Sequence, residues 1–298
     1  MRLGCLGLAP PDSGVFARLE TLLLNNVRSH GERELSEAVS SPRCPSLRRL
    51  TVRGARGLRN LLIWSESLVA LMLAHPRGLR RLMVVAPVLH SFYFSAHREM
   101  EKLAARISAP KLEKLKWAGR FQPSFIQRAR LQELDTNFIV YGRDGFISPH
   151  HLRLFRHFEA VSLHLLVTQP DKNVNSYEYL MDGISFLPHV KNLWLSFVPR
   201  AHAFGATMFH LLRLCAGIRS LKLKLIHREG ECPLDCTCDQ RNGWKSENIS
   251  LNLLEEAKIS GIKGVEHEVV FLKQLFRWAT ALQKMTITFD PLVAIVPE

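Results

Sequence analysis

The stretch Leu47-Arg48-Arg49-Leu50-Thr51-Val52 reads apolar, two polar, apolar, polar, apolar, and the chain returns to that phrase repeatedly. In a strand, alternate side chains face opposite ways, so Leu50 and Val52 would point into a core while Thr51 points out. One such strand cannot bury its own apolar face; stacking it on the next copy does. In a chain that is 47% apolar, chance alone supplies several matches, so phase has to decide. Leu47, Leu58, Leu68, Leu79 and Leu89 each open a copy, at steps of 11, 10, 11 and 10, and alternate copies recur every 21 residues. Looser copies open at Leu19, Leu112, Phe158, Val190, Ile218, Leu254 and Leu282. A copy at Leu131 fits in part, because Thr136 occupies an apolar position.

A period of 21 falls within the range of leucine-rich repeats. It has room for an inner strand, a turn, a second short strand such as Leu61-Leu62-Ile63, and a return. The later copies are spaced by 28 residues or more, which leaves room for an outer helix. Apolar residues at i, i+3, i+4 and i+7 predict helices over Glu99–Ile107, Asn175–Phe186, Ala203–Ala216 and Glu266–Leu282, while Ser36–Ser40 is too short to assign. The expected fold is an α/β leucine-rich-repeat solenoid: a curved parallel sheet on the concave side, helices and short strands outside. Its outward residues Arg49, Thr51, Arg53, Lys114, Lys116, Asn192, Trp194, Ser220, Lys222 and Lys258 are the candidate partner-binding set. Phe92 and Phe94 are core by phase, whereas Tyr93 and Trp194 point outward, as contact anchors or as packing against a neighbouring repeat.

Composition changes this picture little. With 298 residues and 22% charged residues, the chain is long enough for one large domain or two ordinary ones. No apolar run approaches the ~20 residues that span a bilayer. The N-terminus has one Arg and a short apolar stretch but no convincing cleavage site, so no signal peptide is expected. Six cysteines in a chain this size do not make a disulfide scaffold, which favours the cytoplasm or nucleus. The net charge of +13 raises a nucleic-acid-binding solenoid as the alternative function. The basic residues are scattered from Arg48 to Arg130, without a dense run or aromatic interleaving, and read better as a coated repeat surface that steers an acidic partner.

The C-terminal third carries a more specific pattern. Leu254-Glu255-Glu256-Ala257-Lys258-Ile259-Ser260-Gly261-Ile262-Lys263-Gly264 is followed by Glu268, a helix over Val269–Phe276, and Leu282-Gln283-Lys284-Met285-Thr286-Ile287. Strand, Gly-x-x-Gly turn, Glu-opened helix and closing strand resemble the FBD module of plant F-box/leucine-rich-repeat proteins. Ala257 stands where a larger β-branched residue is usual. The turns Cys44-Pro45-Ser46-Leu47, Ala86-Pro87-Val88-Leu89 and Ala109-Pro110-Lys111-Leu112 are similar to those of the same family, as is the loop from Cys232-Pro233 to Trp244-Lys245. The resemblance implies a solenoid over 1–230, a Cys-containing loop over 231–250, and an FBD-like strand-helix-strand cap over 251–298. It also implies recognition of a protein substrate for ubiquitylation. No F-box is read before Leu19, since Met1–Ser13 is short and broken by Pro10-Pro11, so a Skp-type adaptor is a partner only if an F-box lies upstream.

Chemistry is sparse. Cys232, Cys236 and Cys238 with His227 could hold a tetrahedral zinc. Their Cys-x-x-x-Cys-x-Cys spacing is not a common knuckle and no second pair follows, so a loop without metal is expected, with a disulfide or redox role left open. The other histidines, His150-His151 among them, show no His-Glu-x-x-His spacing. Neither a Gly-x-Ser-x-Gly elbow nor a phosphate-cradling loop occurs, and Gly142 and Asp144-Gly145 read as a turn. The chain is expected to be a non-enzymatic interaction protein without a cofactor.

Overall fold

The computed structural model describes residues 14–29, 34–96, 103–118, 123–125, 129–142, 158–169, 178–184, 187, 189–234, 236–240 and 243–290. The chain divides into two compact units, Met1–Leu134 with Arg156–Glu159, and Asp135–Phe155 with Ala160–Glu298.

The first unit runs β1 (Thr21–Asn25), α1 (Glu34–Ala38), β2 (Arg49–Arg53), β3 (Asn60–Trp64), β4 (Ala70–Ala74), β5 (Arg81–Val85), β6 (Ser91–Ser95), β7 (Ala104–Ser108), β8 (Lys114–Ala118), β9 (Pro123–Phe125) and the start of β10 (Ala129–Ile139). Alternate phrases enter alternate sheets. β1, β2, β4, β6 and β8 pair in parallel in that order, and β3, β5, β7 and β9 form a second parallel sheet. The 11-and-10 rhythm is therefore one repeat of two strands. Leu50 and Val52 from one sheet and Leu61 and Ile63 from the other are buried, while Leu62 and Trp64 face out.

A recurring turn leads into three of these inner strands. The amide of the phrase's first residue donates to the carbonyl three residues back: Leu47 to Cys44, Leu89 to Ala86 and Leu112 to Ala109. Proline at the second place of such a turn presets φ, which accounts for the Cys-Pro and Ala-Pro turns. The next two amides then converge on one carbonyl of the preceding repeat. Arg48 and Arg49 donate to Glu20, Val69 and Ala70 to Arg48, His90 and Ser91 to Val69, and Glu113 and Lys114 to His90. The strands consequently stack in register, and the columns Leu50–Leu71–Phe92–Leu115 and Val52–Leu73–Phe94–Trp117 fill the core. Phe94 stacks on Trp117 with ring centroids 4.2 Å apart, and Phe92 meets the same indole edge-on at 6.0 Å.

The second unit contains β11 (Tyr141–Gly142), β12 (Phe158–Thr168), β13 (Glu178–Tyr179), a 3-10 turn over Leu180–Gly183, β14 (Asn192–Val198), α2 (Gly205–Leu214), β15 (Ser220–Leu225), a 3-10 turn over Thr237–Asp239, β16 (Glu256–Ile262), α3 (Glu266–Trp278) and β17 (Lys284–Phe289). β12, β14, β15, β16 and β17 pair in parallel in that order, and β11 and β13 form a short antiparallel pair. The converging amides recur, from Arg219 and Ser220 to Lys191, Glu255 and Glu256 to Arg219, and Gln283 and Lys284 to Glu255. The longer repeats hold α2 and α3, as their spacing predicts. Residues 205–212 of α2 are all buried; Phe204, at its start, packs on Phe271 of α3, and Phe209 of α2 on Trp278 of α3. At β17, last in the order, Met285 and Ile287 are only half-buried.

Two expected helices are not there. Ala104–Ser108 is a strand in register with β5, because Ala105 and Ile107 alternate with exposed Ala104 and Arg106. The two-residue period and the pairing partner override the apparent helical spacing; the remainder of that helix, residues 99–102, lies outside the described residues. Over Asn175–Phe186 the described residues form β13 and a 3-10 turn, with Tyr179, Met181 and Ile184 buried. The Asp144-Gly145 turn and His150-His151 also lie outside the described residues; Gly142 ends β11.

The shared aromatic column makes an asymmetric prediction. Phe94→Ala should destabilise the first unit by about 3–5 kcal/mol, whereas Thr51→Ala on the outward face should stay within about 0.5 kcal/mol. Denaturant unfolding followed by tryptophan fluorescence measures both; equal effects would contradict the assigned faces.

Candidate functional site

In-register strands turn outward residues into rows. In the first unit, Thr51, Met72, Tyr93 and Lys116 form one row, and Arg49, Ala70, Ser91 and Lys114 the next. Arg53 lies between Asn25 and Ala74 in a third row, whose next members, Ala74 and Ser95, are buried. Arg49 donates to Thr21 Oγ1 at 3.2 Å, Arg53 reaches Met72 Sδ at 3.4 Å, and Lys114 pairs with Glu133 at 3.5 Å. Lys116 lies 5.7 Å above the Tyr93 ring, so Tyr93 is half-covered by its neighbour.

In the second unit, His164, Trp194, Lys222, Lys258 and Thr286 share a row, flanked by Ser162, Asn192, Ser220, Glu256 and Lys284. Trp194 is 36% exposed. The His164 ring is 4.0 Å from it on one side, and Lys222 Nζ sits 4.2 Å from its centroid on the other. Lys224 is exposed in the adjoining row beside Ser196 and Ser260. Asn192 donates to Ser162 Oγ at 3.1 Å, and Lys284 pairs with Glu256 at 3.4 Å. Within each unit, the expected residues thus fall on one face. His164 and Lys224 were missed, although the strand phase that selects Trp194 and Lys222 also selects them. A groove of 1280 Å³ across the other sheet of the first unit, lined by Leu62, Trp64, Met83 and Arg106, was not read from the sequence either.

The Gly-x-x-Gly and Glu pattern has a physical origin. Glu268 lies at the third position of α3, buried, and its Oε2 accepts the amides of Lys263 and Gly264 at 2.8 Å each. A carboxylate there satisfies free donors and sits at the positive end of the helix. Gly261 has φ +81, and a Cβ on it would lie 2.4 Å from the Leu225 carbonyl oxygen, so only glycine fits.

The Cys loop is not loose. The Trp244 ring occupies the space over Gly205, where a Cβ would come within 2.2 Å of Cζ2, and its Nε1 donates to the Asp239 carbonyl at 3.1 Å. Gln274 and Trp278 of α3 donate to the carbonyls of Lys245 and Glu247. So held, the loop brings the ligand atoms of Cys232, Cys236, Cys238 and His202 within 4.8 Å of one another. Cys232 and Cys238 sulfurs are 3.6 Å apart, and Cys236 Sγ is 3.4 Å from His202 Nδ1. His227, the histidine expected in this set, is not in it: its Nε2 lies 2.5 Å from the Gly261 carbonyl oxygen. His202 stands 30 residues before Cys232 and only the fold brings it in. Burial pushes the Cys238 thiol well up, partly offset by a hydrogen bond from the Ala203 backbone. Elsewhere, burial raises the Cys215 thiol to about 12, which leaves it an inert core group.

Two sheet-forming strands per 21 residues, apolar columns inside and in-register rows outside define a leucine-rich-repeat solenoid. Residues 2–133 match the family model described as FBD-associated F-box protein At5g56370, LRR repeats. No curated protein and no solved structure matches the chain. Among the described residues, no helix is long and apolar enough to cross a membrane.

Glu268→Ala leaves two amides without their acceptor and should cost about 2–3 kcal/mol, and Gly261→Ala should cost at least as much as about 1–3 kcal/mol of backbone strain. Thermal unfolding with and without each change tests this. A neutral Gly261→Ala would disprove the close approach to Leu225.

Proposed function

We infer that this chain is a protein-recognition module whose contact face is the outward side of its strand rows. The observation that carries this is Trp194: a large aromatic left 36% exposed at the middle of a sheet, set between His164 and Lys222, with Lys258 next in the row. A rigid, partly exposed tryptophan is a frequent binding anchor, and Lys222 over its face adds a cation. Asn192 and Ser220 supply neutral hydrogen-bonding groups beside it, and Arg49, Thr51, Arg53, Lys114 and Lys116 offer a comparable basic face in the first unit. Excess positive charge favours an acidic protein segment as partner.

The repeat family supports a finer reading, substrate recognition for a ubiquitin ligase, with residues 251–298 acting as an FBD-like cap on the solenoid. In that reading a Skp-type adaptor would be engaged through an F-box, not through these repeats. None of the five described cysteines is in a disulfide, which fits a reducing compartment, cytoplasm or nucleus.

Affinity capture with the wild type and with the Lys222→Glu/Lys258→Glu double variant identifies proteins that depend on this face; titration of a captured partner then gives the magnitude. Trp194→Ala and the double variant should each weaken binding roughly tenfold or more, at about 1.4 kcal/mol per decade, with circular dichroism unchanged. Unaltered affinity would remove this face from the recognition role. Tight, steeply salt-dependent binding of DNA or RNA would favour the nucleic-acid alternative instead.

A further inference from the structure

We propose that the second unit holds a structural Zn²⁺ ion, bound by His202 Nδ1 and the sulfurs of Cys232, Cys236 and Cys238. The distances fit the ion. With Zn–S near 2.3 Å and Zn–N near 2.0–2.1 Å, the edges of a tetrahedron are about 3.8 Å between sulfurs and about 3.6 Å from sulfur to nitrogen. Cys232 and Cys238 are 3.6 Å apart, and Cys236 and His202 3.4 Å apart. A disulfide, at about 2.05 Å, does not describe this spacing, and it would leave one thiol of the three over.

The surrounding chain is shaped for the cluster. His202 is fully buried, Cys236 and Cys238 are buried, and Cys232 is partly so. Arg200 and Ala201 both adopt left-handed backbone, at φ 47 and φ 66, in the turn that delivers His202. Two consecutive non-glycine residues in that region are unfavourable unless their surroundings hold them. Gly230 lies against that turn, where a Cβ would be 2.9 Å from the Arg200 carbonyl oxygen. Cys236 is set by a turn in which its amide donates to Pro233, and the backbone of Ala203, the residue after His202, hydrogen-bonds Cys238. Amide donors to ligand sulfurs are the usual outer shell of a thiolate site. Three sulfurs and one imidazole select a borderline-soft ion, and four protein ligands leave no open position, so the site is structural and not catalytic. Binding displaces the three thiol protons to solvent and ties the loop between β15 and β16 to the turn after β14.

Full-length chain purified under reducing conditions should contain about one zinc per molecule by elemental analysis. Replacement with Co²⁺ should give the visible bands of a tetrahedral thiolate centre. His202→Ala and Cys236→Ser should lose the metal, His202→Cys should keep it with an altered cobalt spectrum, and His227→Asn should keep it unchanged. The proposal is overturned if wild-type protein carries less than about a tenth of an equivalent and takes up no cobalt. Metal retained by both His202→Ala and Cys236→Ser, or lost by His227→Asn, overturns the ligand set. The cobalt spectrum of the wild type and of His202→Cys keeps the test decisive should the alanine and serine variants fail to fold.

Discussion

One carbonyl per repeat accepts two amides from the next, and the rest of the structure depends on that junction. Glu20, Arg48, Val69, His90, Lys191, Arg219 and Glu255 all play this part, and they share no side-chain chemistry. The bond is made by backbone alone, which is why the second position of each phrase is free to vary. It sets the phase of each strand on its predecessor. A slip of one residue would turn Leu50, Leu71 and Phe92 to the outside and bring Thr51, Met72 and Tyr93 into the core. Columns within and rows without are two results of the same constraint.

That constraint explains what could be read from the sequence. Strand phase needs only an apolar alternation and a spacing, so the inner strands, the second sheet and the helices α2 and α3 were legible. The helix expected over Glu99–Ile107 failed because apolar residues at 103, 104 and 107 fit a helical period while those at 103, 105 and 107 fit a strand period over so short a run; only pairing with β5 separates the two. The Gly-x-x-Gly and Glu pattern was visible as a motif, yet its reason lies in the Leu225 carbonyl and two amides that no spacing displays.

The candidate sites divide the same way. Outward residues such as Trp194, Lys222 and Lys258 follow from phase, and the structure adds which are neighbours. Lys222 and Lys258 adjoin across strands, an unfavourable pairing of like charges, and the Trp194 face offers Lys222 a compensating contact. The cysteine cluster was half legible: three members lie within seven residues, but the fourth is brought from the far side of α2 by a turn. His227, nearer in sequence, is engaged by a backbone carbonyl instead.

The meeting of Trp244 with Gly205 has a wider meaning for how such a chain changes over time. The insertion between β15 and β16 brings its own plug, an indole that fits a gap left in α2 for it, so the extra length seals itself against the array. β15 and β16 pair as though nothing had been inserted, from Ser220 opposite Glu256 to Lys224 opposite Ser260. Long loops with such a plug can be gained or exchanged at the flank without disturbing the register of the sheet, provided that tryptophan and glycine change together.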